Sequence, residues 1–291
     1  MALDTIETPA GRVDGVPGGS AVYFAAAASL LCPVLVVGVV GDDYPWESLD
    51  PLRARGVDFS GVTSVHGSTM TWHARYDAAQ GRETLGTKRG VSEVILPSVP
   101  AAARRAGAIF LGSTDPRLQF EVLDQVDGPA LVAVDTMSHW VRDRRPEVRS
   151  VVGASHICFV SEAEAVVLGG DARIDVAVGR ILELGPHWVI VKRGDAGARA
   201  YGGEGAISVP AVPVPATVDP TGAGDAFAGG VMGSLARTGD TGPDALIDAL
   251  LHGSVLGSLA VRDFGIAGLM RATAEDVADG VRRLRVRLDG A

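Results

Sequence analysis

The sequence has few cysteines, few aromatic residues and no excess of positive charge. Its 291 residues include 2 cysteines, and aromatic residues make up 5%. Cys32 and Cys158 lie far apart in apolar runs with no CxxC motif, which indicates free thiols in a reducing compartment. Lys and Arg total 26 against 35 for Asp and Glu, a net charge of -9. This balance argues against a general nucleic-acid-binding protein, which needs a basic surface.

One uncharged run, residues 21–41, is long enough to span a bilayer. Pro33 divides it into an Ala-rich half typical of a helix and a half, VLVVGVV, typical of a strand. No basic region precedes the run, so no signal peptide is predicted. We therefore expect no membrane span and a cytoplasmic location.

Short apolar runs alternate with helix-like stretches along most of the chain. Such runs indicate strands buried on both faces: AIFLG (108–112), ALVAVD (130–135), HICFVS (156–161) and HWVIVKRG (187–194). Helical patterns between and after them include LQFEVLDQV, SEAEAVVLGG and DAFAGGVMGSLART. The alternation predicts an α/β fold with a doubly wound, mainly parallel sheet and ligand sites at the carboxyl ends of its strands.

A polar, Thr-rich stretch from residue 57 to 94 interrupts this pattern. MTWHARY, a Gly-containing turn and RETLGT predict an antiparallel hairpin, and the segment near residue 9 can add strands to it. We interpret this part as a small β-sheet lid. The predicted division assigns residues 1–8, 24–56 and 95–291 to the body, and 9–23 and 57–94 to the lid.

Several known site motifs are absent from the sequence. It contains no HExxH and no GxSxG, and GRETLGTK (81–88) lacks the residue order of a P-loop. GAGDAF begins like a dinucleotide-binding fingerprint, but Phe227 replaces the third glycine. We therefore do not predict a nicotinamide-dependent dehydrogenase.

The stretch VDPTGAGDAFAGG, residues 218–230, places one acid among small residues at the start of a predicted helix. Backbone N–H groups at Gly222, Ala223, Gly224 and Asp225 would be unpaired and unshielded, which suits a phosphate. Asp225 could take a proton from a hydroxyl beside that phosphate. The alternative is that Asp225 only interacts with the helix dipole and the glycines form a tight turn.

VDPTGAGDAFAGG resembles the C-terminal signature of the ribokinase (PfkB-type) carbohydrate and nucleoside kinases. Further stretches are similar to other parts of that family: GGSAVYFAAAASLL with VGVVGDDYP, FVSEAEAVVLGG, VKRGDAGARAY and LLHGSVLGSLAVRDFG. They follow the family's order from near residue 4 to about residue 265. The resemblance implies an ATP-dependent, Mg²⁺-requiring kinase that phosphorylates a hydroxymethyl group of a sugar or nucleoside.

The resemblance also implies roles for individual residues. Asp225 would be the catalytic base, and Gly222, Ala223 and Gly224 the anion hole. Substrate would contact Asp4, Gly18, Gly19, Ser20 and Tyr23. Nucleotide would contact Lys192, Gly194, Gly197, Thr221 and His252. Glu164 would hold Mg²⁺ through water with a weaker contribution from Ser161, and Asp219 would lie at a monovalent cation (K⁺) site.

The sequence departs from the family pattern at three positions. Asp4 follows almost no strand, so either the family's first strand is shortened or the chain start was placed late. Tyr23 and Ser161 stand where the family commonly has asparagine. These departures keep open a second hypothesis, a non-catalytic sugar- or nucleotide-binding protein on the same scaffold.

The lid has its own alternatives. Trp72 and Tyr76 alternate onto one face, which would cover the substrate or form a homodimer surface. Arg75 and Lys88 would either neutralise the transferred phosphate or remain solvated.

Overall fold

The computed structural model describes residues 1–203 and 205–289. The strands in chain order are β1 (Ala2–Thr8), β2 (Gly11–Gly18), β3 (Leu35–Gly41), β4 (Asp58–Val65), β5 (Thr71–Tyr76), β6 (Arg82–Lys88), β7 (Ala108–Leu111), β8 (Leu131–Asp135), β9 (Ile157–Ser161), β10 (Trp188–Lys192), β11 (Ala198–Gly202) and β12 (Gly205–Val209). The helices are α1 (Ser20–Ala28), α2 (Asp50–Ala54), α3 (Pro116–Leu123), α4 (Ser138–Asp143), α5 (Arg145–Gly153), α6 (Glu162–Gly169), α7 (Ile174–Leu182), α8 (Ala223–Thr238), α9 (Pro243–Ala260), α10 (Ala267–Arg271) and α11 (Ala274–Asp289).

The main sheet has six strands in the order β12-β11-β10-β9-β8-β7. Strands β7 to β10 run parallel, and β11 and β12 continue the sheet antiparallel. Side chains of β9 alternate between the two faces: Phe159 belongs to one core cluster, while Cys158 and Val160 belong to another. Burial on both faces explains the uninterrupted apolar runs in the sequence. The predicted α/β class with a mainly parallel sheet is confirmed.

A separate four-stranded sheet has the order β2-β1-β5-β6. Strands β5 and β6 are the hairpin predicted from MTWHARY and RETLGT. Strands β1 and β2 form a second antiparallel hairpin, and β1 pairs parallel to β5. We call this four-stranded sheet the lid.

Sheet membership differs in two places from the division predicted from the sequence. Residues 1–8 were expected in the body, but β1 lies in the lid. Residues 57–94 were expected in the lid, but β4 pairs with β3. An alternating pattern indicates a half-buried strand without identifying its pairing partner, which explains both differences. Positions 204, 290 and 291 of the expected body interval lie outside the described residues.

Strands β3 and β4 form a third, two-stranded parallel sheet. In the part of the chain that the structure describes, β3 pairs only with β4 and β7 only with β8. A cavity of about 1730 Å³ extends between β3 and β7 and is lined there by Val36, Val39 and Phe110. Phe24 of α1 stacks on Phe110, with ring centroids 4.2 Å apart. Phe24 of α1 therefore packs against the edge strand β7, on the side where β7 has no described pairing partner.

Small residues let helix α8 pack between α1 and α9. A Cβ on Gly229 would lie 2.7 Å from the carbonyl oxygen of Phe24 in α1. A Cβ on Gly230 would lie 2.7 Å from the Cα of Gly253 in α9. The glycines after Asp225 thus allow the close helix packing that fixes the start of α8.

The uncharged run at residues 21–41 divides as predicted. Helix α1 ends at Ala28, and β3 begins at Leu35 after Pro33. Within residues 1–203 and 205–289, the structure contains no helix with the length and apolar character needed to cross a membrane.

Candidate active site

The turn before α8 is built around Gly222. This residue is the helix N-cap, with φ 71° and ψ 1°, a left-handed conformation that glycine adopts with little strain. A Cβ on Gly222 would lie 2.1 Å from the ring of Tyr23, so a larger residue does not fit. The first N–H groups of a helix have no carbonyl partner in the preceding turn, and the helix dipole adds positive potential there. The turn is therefore suited to an anion.

Asp225 lies in the first turn of α8 and is partly exposed to the cavity. The Oγ of Ser20 donates a hydrogen bond to Asp225 Oδ1. The N–H of Ser113 in turn donates to Ser20 Oγ over 3.2 Å. Burial raises the pKa of Asp225, while the Ser20 hydrogen bond and the charge of Lys192 oppose that increase. A proton acceptor thus lies beside the anion-binding turn.

A buried ion pair lies next to this carboxylate. Lys192 Nζ, at the end of β10, is 2.5 Å from Asp135 Oδ2, at the end of β8. Burial raises the pKa of Asp135 to about 6 against the opposing charge of Lys192. Burial alone would lower the pKa of Lys192, but Asp135 and Glu164 raise it above its usual value. Lys192 is therefore charged at neutral pH, and its Nζ lies 3.1 Å from where a Cβ on Gly224 would be.

Asp135 is a site residue that the sequence analysis missed. It ends the apolar run ALVAVD, and ligands bind at the carboxyl ends of parallel strands. An acid directly after a buried strand was therefore an available signal. Ser113 was also missed, and it contributes a backbone N–H, a group that every residue except proline carries.

Ser161 and Glu164 form a reciprocal cap at the start of α6. The N–H of Glu164 donates to Ser161 Oγ over 3.3 Å, and the N–H of Ser161 donates to Glu164 Oε2 over 2.8 Å. Ser138 Oγ donates to Glu164 Oε1 over 3.1 Å. Ser161 lies at the position where the family commonly has asparagine, and here its hydrogen bonds orient the glutamate.

Negative charge exceeds positive charge at this end of the cavity. The charges of Glu164 and Asp225 both act on Asp135, which has Lys192 as its ion-pair partner. Among the described residues, no group of three or more His, Cys, Asp or Glu side chains is placed to hold a metal ion. Mg²⁺ commonly takes one or two carboxylates and completes its shell with water and substrate phosphates. The donor set therefore fits Mg²⁺ that binds together with a phosphate ligand.

Asp4 and Gly19 line the cavity on the lid side, next to Gly18. Asp4 is 2% exposed, and its Oδ2 accepts a hydrogen bond from the N–H of Gly19 over 3.4 Å. A Cβ on Gly18 would lie 1.9 Å from that oxygen, and Gly19 has a positive φ of 81°. Burial raises the pKa of Asp4 to about 7. The carboxylate can accept a hydrogen bond from a substrate hydroxyl.

The Tyr23 ring is buried against Gly222, with 1% of the residue exposed. Its hydroxyl has no hydrogen-bond partner within residues 1–203 and 205–289. Burial raises the pKa of Tyr23 well above its usual value, so the hydroxyl is neutral. Tyr23 therefore shapes the anion-binding turn and also offers an unpaired polar atom.

A lid residue contacts the loop before α8 directly. Tyr76 Oη and Thr221 Oγ1 are 3.1 Å apart, within hydrogen-bond distance. The fully buried Asp219 accepts the N–H of Thr221 over 2.8 Å and the N–H of Gly265 over 2.9 Å. Both oxygens of Asp219 therefore already bind backbone amides.

The remaining expected nucleotide contacts lie away from the cavity. Gly194 and Gly197 belong to the turn between β10 and β11, where a Cβ on Gly197 would lie 2.1 Å from the Val209 carbonyl oxygen. His252 is buried in α9, with its Nδ1 2.8 Å from the carbonyl oxygen of Asp248.

The cavity brings together eleven of the expected site residues: Asp4, Gly19, Ser20, Tyr23, Ser161, Glu164, Lys192, Thr221, Gly222, Gly224 and Asp225.

A mainly parallel sheet, a β lid and a carboxylate beside a helix N-terminus suited to an anion together fit a small-molecule phosphotransferase. The chain belongs to the pfkB family of carbohydrate kinases, whose family model matches residues 5–272. Membership in this family identifies it as a kinase that phosphorylates hydroxyl groups.

Known proteins similar to this chain include nucleoside kinases. The cytidine kinase of Thermococcus kodakarensis is 30% identical over 246 residues, 81% of this chain and 86% of that protein. A nucleoside kinase of Burkholderia thailandensis, solved with inosine, has a TM-score of 0.75 and 20% identity, covering 97% of this chain and 96% of that one. An Escherichia coli protein assigned as ribokinase II, solved with ATP and Mg²⁺, has a TM-score of 0.79 and 22% identity, covering 97% and 96%.

Proposed function

We propose that the protein transfers the γ-phosphoryl group of ATP to a hydroxymethyl group of a sugar or nucleoside. The observation that carries this proposal is the position of Asp225 in the first turn of α8, beside the anion-binding turn at Gly222. The substrate hydroxyl gives its proton to the Asp225 carboxylate, and its oxygen forms a bond to the γ-phosphorus. The bond from that phosphorus to the bridging oxygen breaks, and ADP leaves.

Each side of the cavity has its own task in this proposal. Asp4, with Gly18 and Gly19, holds the substrate from the lid side. The backbone amides at Gly222, Ala223 and Gly224 stabilise the negative charge of the migrating phosphoryl group. Lys192 adds a positive charge close to the same turn. Ser20 and Tyr23 complete the substrate side.

The nucleotide would extend from the turn at Gly222 towards Thr221 and the β10–β11 turn. Gly194, Gly197 and His252 would therefore contact ATP outside the cavity described above. The E. coli protein with bound ATP and Mg²⁺ supports the choice of nucleotide through shared fold alone.

Glu164, oriented by Ser161, would hold a water on Mg²⁺, and Asp135 lies close enough for its charge to act on the same region. When bound, the metal neutralises phosphate charge. A K⁺ site near Asp219 would use carbonyl oxygens of its loop, because both Asp219 oxygens already accept backbone amides. Rates in KCl and NaCl at equal ionic strength test this K⁺ site.

Two of the three similar proteins described above favour a nucleoside over a free sugar as the acceptor. One is a cytidine kinase, and the other was solved with inosine. The decisive experiment measures ADP release and phosphorylated product with cytidine, inosine, adenosine, ribose and fructose, each with ATP and Mg²⁺. Turnover of any of these confirms the kinase. Binding of several acceptors without turnover would instead support the non-catalytic binding protein.

Two further features belong to the proposal. A homodimer through the lid is supported by β6, an edge strand whose seven residues are all exposed. Light scattering after gel filtration, with a proline introduced in β6 as the disrupting variant, tests that interface. A cytoplasmic location is supported by the free thiols of Cys32 and Cys158.

A further inference from the structure

We propose that Arg82, on lid strand β6, is a catalytic residue that binds the transferred phosphoryl group when the lid closes over the substrate. This inference rests on the proposed kinase function and deepens it. Among the several basic residues of the lid, only Arg82 is assigned this role.

Strand register places Arg82 on the cavity face of the lid. In the antiparallel pairing of β5 and β6, Arg82 lies directly opposite Tyr76. Side chains of directly opposite residues point to the same face of a sheet. The Tyr76 hydroxyl reaches Thr221 at the start of the anion-binding loop, so this face points at the site. Arg82 lines the cavity accordingly.

The two cations singled out in the sequence occupy the other face. Arg75 alternates with Tyr76 along β5, and its Nε donates to Glu7 Oε2 over 2.9 Å. Lys88 lies opposite Thr71, which shares the outward face with Arg75. Sequence alone could not separate these candidates, because the face depends on the register between β5 and β6 and on the bulge after His73.

The Arg82 guanidinium has no carboxylate partner in the part of the chain that the structure describes. Within residues 1–203 and 205–289, no carboxylate oxygen lies within 4.0 Å of its nitrogens. Its Cζ lies 5.9 Å from the centroid of the Trp72 ring, a cation–π contact that orients the side chain. By contrast, Arg89 on the same cavity lies over the ring of Trp140 and 4.0 Å from Asp115.

The charge of Arg82 acts at the catalytic centre. Together with Lys192, it opposes the increase that burial causes in the pKa of Asp225. It also opposes the increase in the pKa of Tyr76. Lys192 is engaged with Asp135, whereas Arg82, whose guanidinium carries five N–H donors, has no ion-pair partner within residues 1–203 and 205–289. A guanidinium fork matches the oxygens of a phosphoryl group and forms charge-assisted hydrogen bonds with them.

The test compares Arg82→Gln with Arg75→Gln, which removes the same charge from the outward face of the same hairpin. We expect R82Q to lower kcat by about 10²-fold or more, as for the loss of one group that stabilises transition-state charge. The Kd for ATP without acceptor should change by less than about threefold, because the contact forms on closure. R75Q should keep kcat within about threefold of the parent.

A second variant separates chemistry from folding. Arg82→Ala should recover part of its kcat when guanidinium is added at millimolar concentration, while R75Q and the parent should not respond. Melting temperatures are measured on all variants. If R82Q turns over within about threefold of an active parent, the role of Arg82 is overturned and the kinase function stands. If the parent phosphorylates no acceptor of the panel, both proposals are overturned.

Discussion

Ser20 and Asp225 are 205 positions apart in the chain and are joined by a hydrogen bond from the serine hydroxyl to the carboxylate. The pair connects the first residue of α1 to the first turn of α8. Because Ser113 donates its N–H to Ser20 Oγ, the serine proton points to Asp225. The hydroxyl thus occupies one oxygen of the proposed base and opposes the increase that burial causes in its pKa.

The first prediction concerns the pH dependence of Ser20→Ala. The hydrogen bond stabilises the charged form of Asp225, so its loss raises the pKa of that carboxyl further. Since the base works only when deprotonated, the acid limb of the kcat–pH profile should move to higher pH. Ser150→Ala on α5, which removes an exposed hydroxyl far from the site, is the control. An unmoved acid limb in S20A would contradict the assignment of Asp225 as the titrating base.

The second prediction concerns the proposed base itself. Asp225→Asn keeps the shape of the side chain but cannot accept a proton, so kcat should fall by about 10²–10⁴. ATP binding should change little, because backbone amides carry the anion contact. The exposed Asp127→Asn is the control. An Asn variant that keeps the parent rate within a few-fold would show that Asp225 serves only the helix end.

Much of the site was predictable from sequence because its residues follow strand ends and helix starts. Gly222 to Asp225 are adjacent in the chain, and a single helix N-terminus brings them together. Glu164 could be predicted from the sequence for the same reason, because it lies three residues after Ser161, the N-cap of α6. Asp135 also lies at the end of a strand, but no sequence motif surrounds it and marks it as a site residue.

The third prediction tests the space above the anion-binding turn. Gly222→Ala meets the Tyr23 ring and forces an alanine to a positive φ, which alone costs roughly 1–2 kcal/mol. It should lower the free energy of unfolding and reduce kcat together. Gly224→Ala contacts only the Lys192 side chain, with Nζ at 3.1 Å, and requires no positive φ, so it should be milder on both counts. Urea unfolding and steady-state kinetics measure the pair, and equal effects would contradict the packing argument.

The fourth prediction concerns stability and pH. Burial raises the pKa of Asp4 from 3.8 to about 7, so the folded state holds a proton that the unfolded state releases. This contribution is complete below pH 3.8 and is lost as the pH rises to about 7. Asp4→Asn should therefore be more stable than the parent at pH 8, by about 2–4 kcal/mol, and less so at pH 5.

The control for Asp4 is Asp14→Asn on β2, an exposed residue. The pKa of Asp14 is lowered by its hydrogen bond with Arg12, so the sign of its pH effect is opposite. Urea unfolding at both pH values measures the difference. A D4N variant that gains no stability at pH 8 would mean that Asp4 is not buried as a charge.

The fifth prediction concerns lid closure. Substrate with ATP should protect the amides of β5 and β6 from hydrogen exchange more than those of the distant helix α11, because Tyr76 already contacts Thr221 at the closing edge. Exchange measured by mass spectrometry with and without ligands checks this. Equal protection in both segments would leave the lid as a dimer surface only.

Other features were not predictable because they depend on pairing between distant segments. The lid membership of β1, and with it the position of Asp4, follows from pairing with β2 and β5. The choice of Arg82 over Arg75 depends on one register and one bulge. A local sequence pattern shows which residues alternate between the two faces of a strand, but it does not show which other strand pairs with it.

Because β1 belongs to the lid, the position of Asp4 bears on whether the phosphoryl group is transferred to substrate or to water. Asp4 is carried by the lid, whereas Asp225 is carried by α8. Under the proposed function, the lid therefore holds the acceptor and helix α8 holds the base. A sugar or nucleoside would contact both parts at once and be positioned by them, whereas a water molecule is too small to be positioned in that way. Under the proposed function, hydrolysis of ATP in the absence of an acceptor should therefore be slow, without any residue dedicated to preventing it.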